Sequence, residues 1–232
     1  MSTILMEAQC VPYVLGLDNK IYYRGSQGWV NISGGGTGKD IGIDCNERSW
    51  VIGMDDHIYN HPRGSGSWSQ YPGGGQAIAL AISSSGDAYT VGMNNHVYKA
   101  NGTGWTELPG EMVGATDIAV DDTGRPWVLG PSGHILFHES SKWHEYPGGG
   151  AGTVLAVSRD GVPYVTGPDG TVYEGTMTGW EVLSGRGKAK HLAIDATGQI
   201  WAIGLDSGIW WHEGERWRRC PGGKKGIRIA LP

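Results

Sequence analysis

The 232-residue sequence has one phenylalanine, three cysteines, only 18% charged residues and no long apolar run. Cys10, Cys45 and Cys220 are odd in number and show no C-x-x-C spacing. That excludes a disulfide framework and a paired-thiolate metal site, and it suits free thiols in a reducing compartment. A net charge of −5 supplies no basic footprint for nucleic acid. Nine of the 18 Lys and Arg residues do follow position 185, among them Arg216, Arg218, Arg219, Lys224 and Lys225, which reads as a solvated face. No stretch approaches the roughly 20 apolar residues that span a bilayer, and Met1 to Cys10 lacks the basic and apolar regions of a signal peptide. The expectation is a cytoplasmic chain without membrane insertion.

Glycine is abundant instead: 41 residues, more than twice the roughly 7% of average usage. Each interior glycine costs a helix about 1 kcal/mol relative to alanine, so the composition favours a turn-rich all-β fold. One pattern recurs through the chain, an aromatic, two further residues and a glycine. It begins at Tyr13, Trp50, Tyr89, Trp127, Tyr164 and Trp201, with spacings of 37 to 39 residues. Nine residues later stands a bulky side chain: Tyr22, Tyr59, Tyr98, Leu136, Tyr173 and Trp210. A third column is tryptophan in every copy: Trp29, Trp68, Trp105, Trp143, Trp180 and Trp217. Each copy divides into four short strand-like segments, in the second copy Ile41 to Asp44, Ser49 to Met54, His57 to His61 and Trp68 to Tyr71. Turn signals such as Asp55-Asp56 and Asn94-Asn95 separate them. Four antiparallel strands at this period describe a propeller blade. The fold class is all-β, a six-bladed β-propeller forming one domain, with repeats at approximately 1–36, 37–75, 76–112, 113–150, 151–187 and 188–223.

The ring needs an innermost strand for its first blade. Internal copies place a small residue between two apolar ones there, as in Ile41-Gly42-Ile43 and Leu80-Ala81-Ile82. Ile4-Leu5-Met6 breaks that rule, whereas Ile229-Ala230-Leu231 obeys it. The C-terminal strand, 226–232, is therefore expected to complete blade one and remove an open sheet edge. The first residues are then spare, available for subunit contact.

Ser33 to Asp40 superficially resembles a phosphate-binding loop, but Ser33 stands where the first glycine belongs and Asp40 where a hydroxyl residue belongs. It reads as a glycine-rich linker between blades, like Pro72-Gly73-Gly74-Gly75 and Pro147-Gly148-Gly149-Gly150. Asp121-Asp122-Thr123-Gly124 lacks the full calcium-loop pattern, and no H-E-x-x-H or G-x-S-x-G occurs. Neither a metal nor a cofactor is expected. Catalysis calls for one asymmetric constellation, whereas six near-equal copies spread similar groups around a ring, so an enzyme is not expected.

Equivalent blades offer equivalent crevices, which suits multivalent binding of densely displayed ligands such as glycans. Two belts could serve. The six Trp, starting the outermost strands, could stack on sugar faces; filling the gap to the neighbouring blade is the competing and stronger reading. His57, His96 and His134, with Asp56 and Asn95, could hydrogen-bond sugar hydroxyls beside the hairpin turns. For Asp56 and Asn95 ordinary turn chemistry is favoured. Strand direction puts the two belts at opposite ends of a blade, so one monosaccharide is not expected to touch both. A protein-interaction scaffold using one face of the ring is the alternative.

Six copies of about 37 residues, with aromatic-x-x-Gly, Ile/Val-Tyr and Gly/Lys-Trp columns and a Pro-Gly-Gly linker, resemble the tectonin repeats of β-propeller lectins. The likeness covers nearly the whole chain and is closest to the fungal type. It implies a cytoplasmic defence protein that recognises O-methylated glycans, such as methylated mannose or fucose, on bacteria or nematodes. It also implies homo-oligomeric assembly, with a tetramer as one form. The chain departs from the pattern at Leu136, at Ser184-Gly185-Arg186 and at Gly208.

Overall fold

The computed structural model describes residues 11–110 and 114–232. Ile4-Leu5-Met6, Cys10 and the spare opening segment lie outside the described residues. Within them the chain forms six antiparallel sheets of four strands each, arranged as a ring. Blade two shows the plan: Gly38–Ile43, Ser49–Gly53, Ile58–His61 and Ser69–Gln70 follow one another from axis to rim. The inner strand starts three residues earlier than its sequence pattern suggests. Its register slips between Gly38 and Asp40, and that irregularity lets the linker join the ladder early. The outermost strand is shorter than expected, because Trp68 faces the linker instead of extending the pairing.

Closure occurs through the C-terminal strand. Gly226–Ala230 pairs antiparallel with Tyr13–Gly16, matching Ala230 to Tyr13 and Ile229 to Val14. The first blade is thus built from both ends of the described chain, and no inner edge is left open.

Apolar burial is concentrated at the six seams, each holding one cluster of buried residues. Between blades two and three, for example, Trp50, Ile52 and Ile58 meet Leu80 and Ala88. Of the leading aromatics, Tyr13, Trp50, Tyr89, Trp127 and Trp201 are buried and Tyr164 is half-buried. Backbone bonds lock the seams as well. Asn19, Asp56, Asn95, Gly133, Gly170 and Ser207 each offer a carbonyl to an amide at or just before the start of the next inner strand, at 2.8 to 3.1 Å. All six sit in the left-handed region, with φ from 59° to 81°. Asp56 and Asn95 therefore occupy the turn position that links one blade to the next, which Asn and Asp tolerate better than most residues. Among the described residues no helix is long and apolar enough to cross a membrane.

Candidate binding crevices between blades

At the end of the second strand each copy turns sharply, as in Gly53-Met54-Asp55-Asp56-His57. Glycine is required because the turn folds back onto it. A Cβ on Gly53 would lie 2.7 Å from Asp55 Oδ1 and 2.9 Å from the Tyr59 ring, and on Gly92 it would lie 2.8 Å from Asn94 Oδ1. Polar side chain and aromatic ring close over that bare backbone and bond to each other. Tyr22 donates its hydroxyl to Asp18 Oδ2 and Tyr59 to Asp55 Oδ2, both at 2.7 Å. Asn94 donates Nδ2 to the Tyr98 hydroxyl at 2.8 Å, and Trp210 donates Nε1 to Asp206 at 3.4 Å. The tyrosine bonds hold the Asp18 and Asp55 carboxyls below the usual carboxylate range and push Tyr22 and Tyr59 up. These acids are ionised acceptors at neutral pH.

Beside each pair projects an apolar side chain. Leu17, Met54, Met93 and Leu205 directly follow the glycine and are 51 to 57% exposed. Pro131 and Pro168 hold the position in the other two copies. One such residue on a surface is ordinary, but a column of them on one feature is not.

The opposite wall is the linker that enters the blade, lying on that blade's tryptophan. Trp68 packs beneath Gly34 and Gly36, Trp105 beneath Gly75, Trp217 beneath Gly185 and Gly187, and Trp29 beneath Gly222. All six outer tryptophans are half-buried. Trp180 donates Nε1 to Gly149 O at 2.7 Å, whereas the indole N–H groups of Trp29, Trp68, Trp105, Trp143 and Trp217 are buried without a partner. Crevices of 350, 660 and 240 Å³ open between linker and turn in blades two, three and six. Each brings together the tryptophan, the glycine linker, the apolar projection and the polar–aromatic pair: Trp68 with Met54, Asp55 and Tyr59; Trp105 with Met93, Asn94 and Tyr98; Trp217 with Leu205, Asp206 and Trp210.

His57, His96 and His134 are not among the residues lining these three crevices, although His57 contacts Asp55 and the His96 amide bonds to Asn94 Oδ1, both of which are. His57 bonds back to Asp55 O at 3.1 Å, and His96 and His134 bond to Glu107 and Glu145 at 2.7 and 2.8 Å. Asp56 is paired with Lys39, and Asn95 donates to Ala115 O at 2.8 Å. The crevices thus join Trp68, Trp105 and Trp217 to turn residues and to the second aromatic column, neither of which the sequence marked as a site. Their signal in the sequence is the Leu/Met/Pro column directly after the repeated glycine. Cations border some crevices: Lys224 lies 3.0 Å from the Tyr22 ring centroid, and Arg219 lies 5.6 Å from that of Trp210.

Among the described residues no group of three or more His, Cys, Asp or Glu is placed to hold a metal. The Asp121 carboxylate is occupied by Thr123, Arg125 and Trp127. Cys45 is exposed and Cys220 buried, and neither is bonded to another cysteine among the described residues.

These features define a six-bladed β-propeller that presents like crevices at several blades. Solved propellers align with it at low sequence identity. TolB from Acinetobacter baumannii superposes with a TM-score of 0.71 at 10% identity, over 95% of this chain and 65% of that one. YCF48 from Cyanidioschyzon merolae gives 0.61 at 14%, over 91% and 81%. YCF48 bound to D1 peptide gives 0.55 at 15%, over 81% and 70%. No family model and no curated protein matches the sequence.

Proposed function

We propose that the protein is a multivalent carbohydrate-binding protein that uses these crevices to hold O-methylated sugars, such as methylated mannose or fucose, on bacterial or nematode surfaces. The observation that carries this reading is recurrence. The same four parts, an exposed aliphatic side chain, a polar–aromatic pair, a glycine linker and a tryptophan, meet in at least three blades. An aromatic plane receives the C–H face of a sugar, an ionised Asp or a carboxamide accepts its hydroxyl protons, and a Met or Leu covers a methyl group. Burying one methyl contributes about 0.8 kcal/mol, close to a fourfold preference per site. Linked weak sites raise avidity by about 10² to 10⁴, so modest preferences are amplified on a crowded surface. Cytoplasmic residence, assembly into homo-oligomers such as a tetramer, and the absence of enzymatic turnover belong to the same reading, as do tryptophans that both pack the blade and floor the site.

A second reading is a protein-interaction scaffold, favoured by the fold's likeness to YCF48 bound to D1 peptide. Calorimetry with methyl-O-mannose and mannose separates the two. The lectin reading expects several sugars per chain and tighter binding of the methylated one. One site per chain, or equal affinities, overturns it.

A further inference from the structure

His61, His138 and His212 share one column of the repeat, and each packs at a tilt against its own blade's tryptophan with centroids 4.8, 5.0 and 5.1 Å apart. His138 and His212 bond through Nε2 to the carbonyl of the residue that opens the preceding linker, Pro109 and Ser184, both at 3.0 Å. Ser33 stands at that position before blade two, yet His61 makes no such bond. It is 4% exposed, and its Nε2 is buried without a partner. Buried polar atoms are paired in the great majority of cases, so His61 Nε2 is a group left over at this seam. A 590 Å³ cavity lies between blades one and two, with His61 among its lining residues.

A second departure from the repeat lines the same cavity. The turn between inner and second strands carries glycine in the left-handed region in four blades, at Gly86, Gly124, Gly161 and Gly198, with φ of 77° to 88°. Blade two has Glu47 there, at φ 56°. A β-carbon makes that conformation unfavourable, and such strain gathers at functional sites. The Glu47 carboxylate reaches across the seam, accepts the Tyr13 hydroxyl of blade one at 3.1 Å and pairs with Arg63 of blade two.

We propose that this seam is a separate, unrepeated binding site for an uncharged polyhydroxylated ring, a single sugar unit. Glu47 and Arg63 pair with each other, which leaves Arg24 as the one further charged side chain in the lining, a guanidinium that donates to hydroxyl oxygens. His61 and the Tyr23 hydroxyl both donate and accept, as sugar hydroxyls do. The Tyr13 and Tyr23 rings, 5.9 Å apart and backed by Ile32, supply an apolar wall for the C–H face. The volume lies within the range of small-molecule sites. This site stands whether or not the repeated crevices bind sugar.

The test is an NMR titration of the intact chain with unmethylated mannose and with maltose, following the imidazole signal that disappears in His61→Phe. That variant keeps a ring on Trp68; should it fail to fold, contacts to Trp68 protons assign the signal in the wild type. The His61 signal should move saturably with sugar, and His61→Phe should bind at this seam about tenfold more weakly, the loss of one good hydrogen bond. The Met54 methyl signal reports on the crevices separately, so failure there is distinguished from failure here. A His61 signal that stays fixed with both sugars, or that moves equally with benzoate or tetramethylammonium, overturns the proposal.

Discussion

At the rim, Trp29, Trp68, Trp105, Trp143, Trp180 and Trp217 fill one column of the repeat without exception. At the axis the corresponding inner-strand column, taken around the ring, runs Arg228, Asp40, Ala79, Asp117, Val154 and His191. Every outer tryptophan solves the same steric problem, covering the linker that enters its blade, so the repeat keeps one answer. Along the axis polar side chains bridge individual seams, Arg228 pairing with Asp40 between blades one and two at 3.5 Å. Asp40 accepts the Leu80 amide and Asp117 the Leu155 amide, both at 2.9 Å, while His191 accepts the Ile229 amide at 3.3 Å. Burial and the Arg228 charge push His191 far below its usual range, which leaves it the neutral ring an acceptor must be. Identity between copies therefore marks packing, and dissimilarity marks places where each seam is treated individually.

Removing Ile227 to Pro232 should break the comparison most severely. It deletes Arg228 from the axial column and opens the inner edge of blade one. Loss of the cooperative thermal transition in circular dichroism is expected; a melt like that of the full chain would contradict the closure.

Next in size is the rim. Trp68→Ala should cost about 3 kcal/mol in denaturant unfolding, since it leaves a hole under Gly34 and Gly36. Phenylalanine sharpens the point. Trp180→Phe forfeits the bond to Gly149 O, whereas Trp68→Phe removes an N–H that has no partner, so the first should be the costlier by about 1 kcal/mol. Equal costs would show that the indole N–H is irrelevant at the rim.

The axis should respond to pH where the rim does not. Burial, with the Asp40 charge beside it, pushes Asp117 up to about 7, and burial also raises Asp40 against the opposing pull of Arg228. A carboxyl raised on folding contributes stability that is present below its unfolded value near 4 and is lost as pH rises through 7. Stability should fall across that window by up to roughly 1.4 kcal/mol per pH unit for each proton involved. Asp117→Val, which copies Val154, should flatten the fall; an unchanged slope would remove Asp117 as its source.

The smallest expected effect on stability is Met54→Ser, within about 0.5 kcal/mol of wild type because the side chain is half exposed. Affinity for a methylated sugar at blade two should nevertheless drop about fourfold. A stability loss as large as that of Trp68→Ala would make Met54 a packing residue.

Much of this architecture was legible in the residues themselves. The aromatic-x-x-Gly period, the tryptophan column and the small residue in Ile229-Ala230-Leu231 all follow from packing constraints that repeat identically, and such constraints print themselves on sequence. Met54, Asp55 and Tyr59 were harder to read together. Neighbours of a turn look like ordinary surface residues until the turn is seen folding toward a linker from the preceding blade. His61 was not legible at all, since it differs from His138 and His212 only in what its ring nitrogen meets. Glu47 was visible as a break in a glycine column, but only its backbone angle reveals the cost of that break.

The central claim is that like crevices act together. Native mass spectrometry of the chain with a methylated mannoside tests it most directly. The account predicts a series of complexes carrying several sugars per chain, with one fewer when Met54 and Asp55 are both replaced by alanine. A single sugar per chain, unaffected by that double replacement, would contradict it.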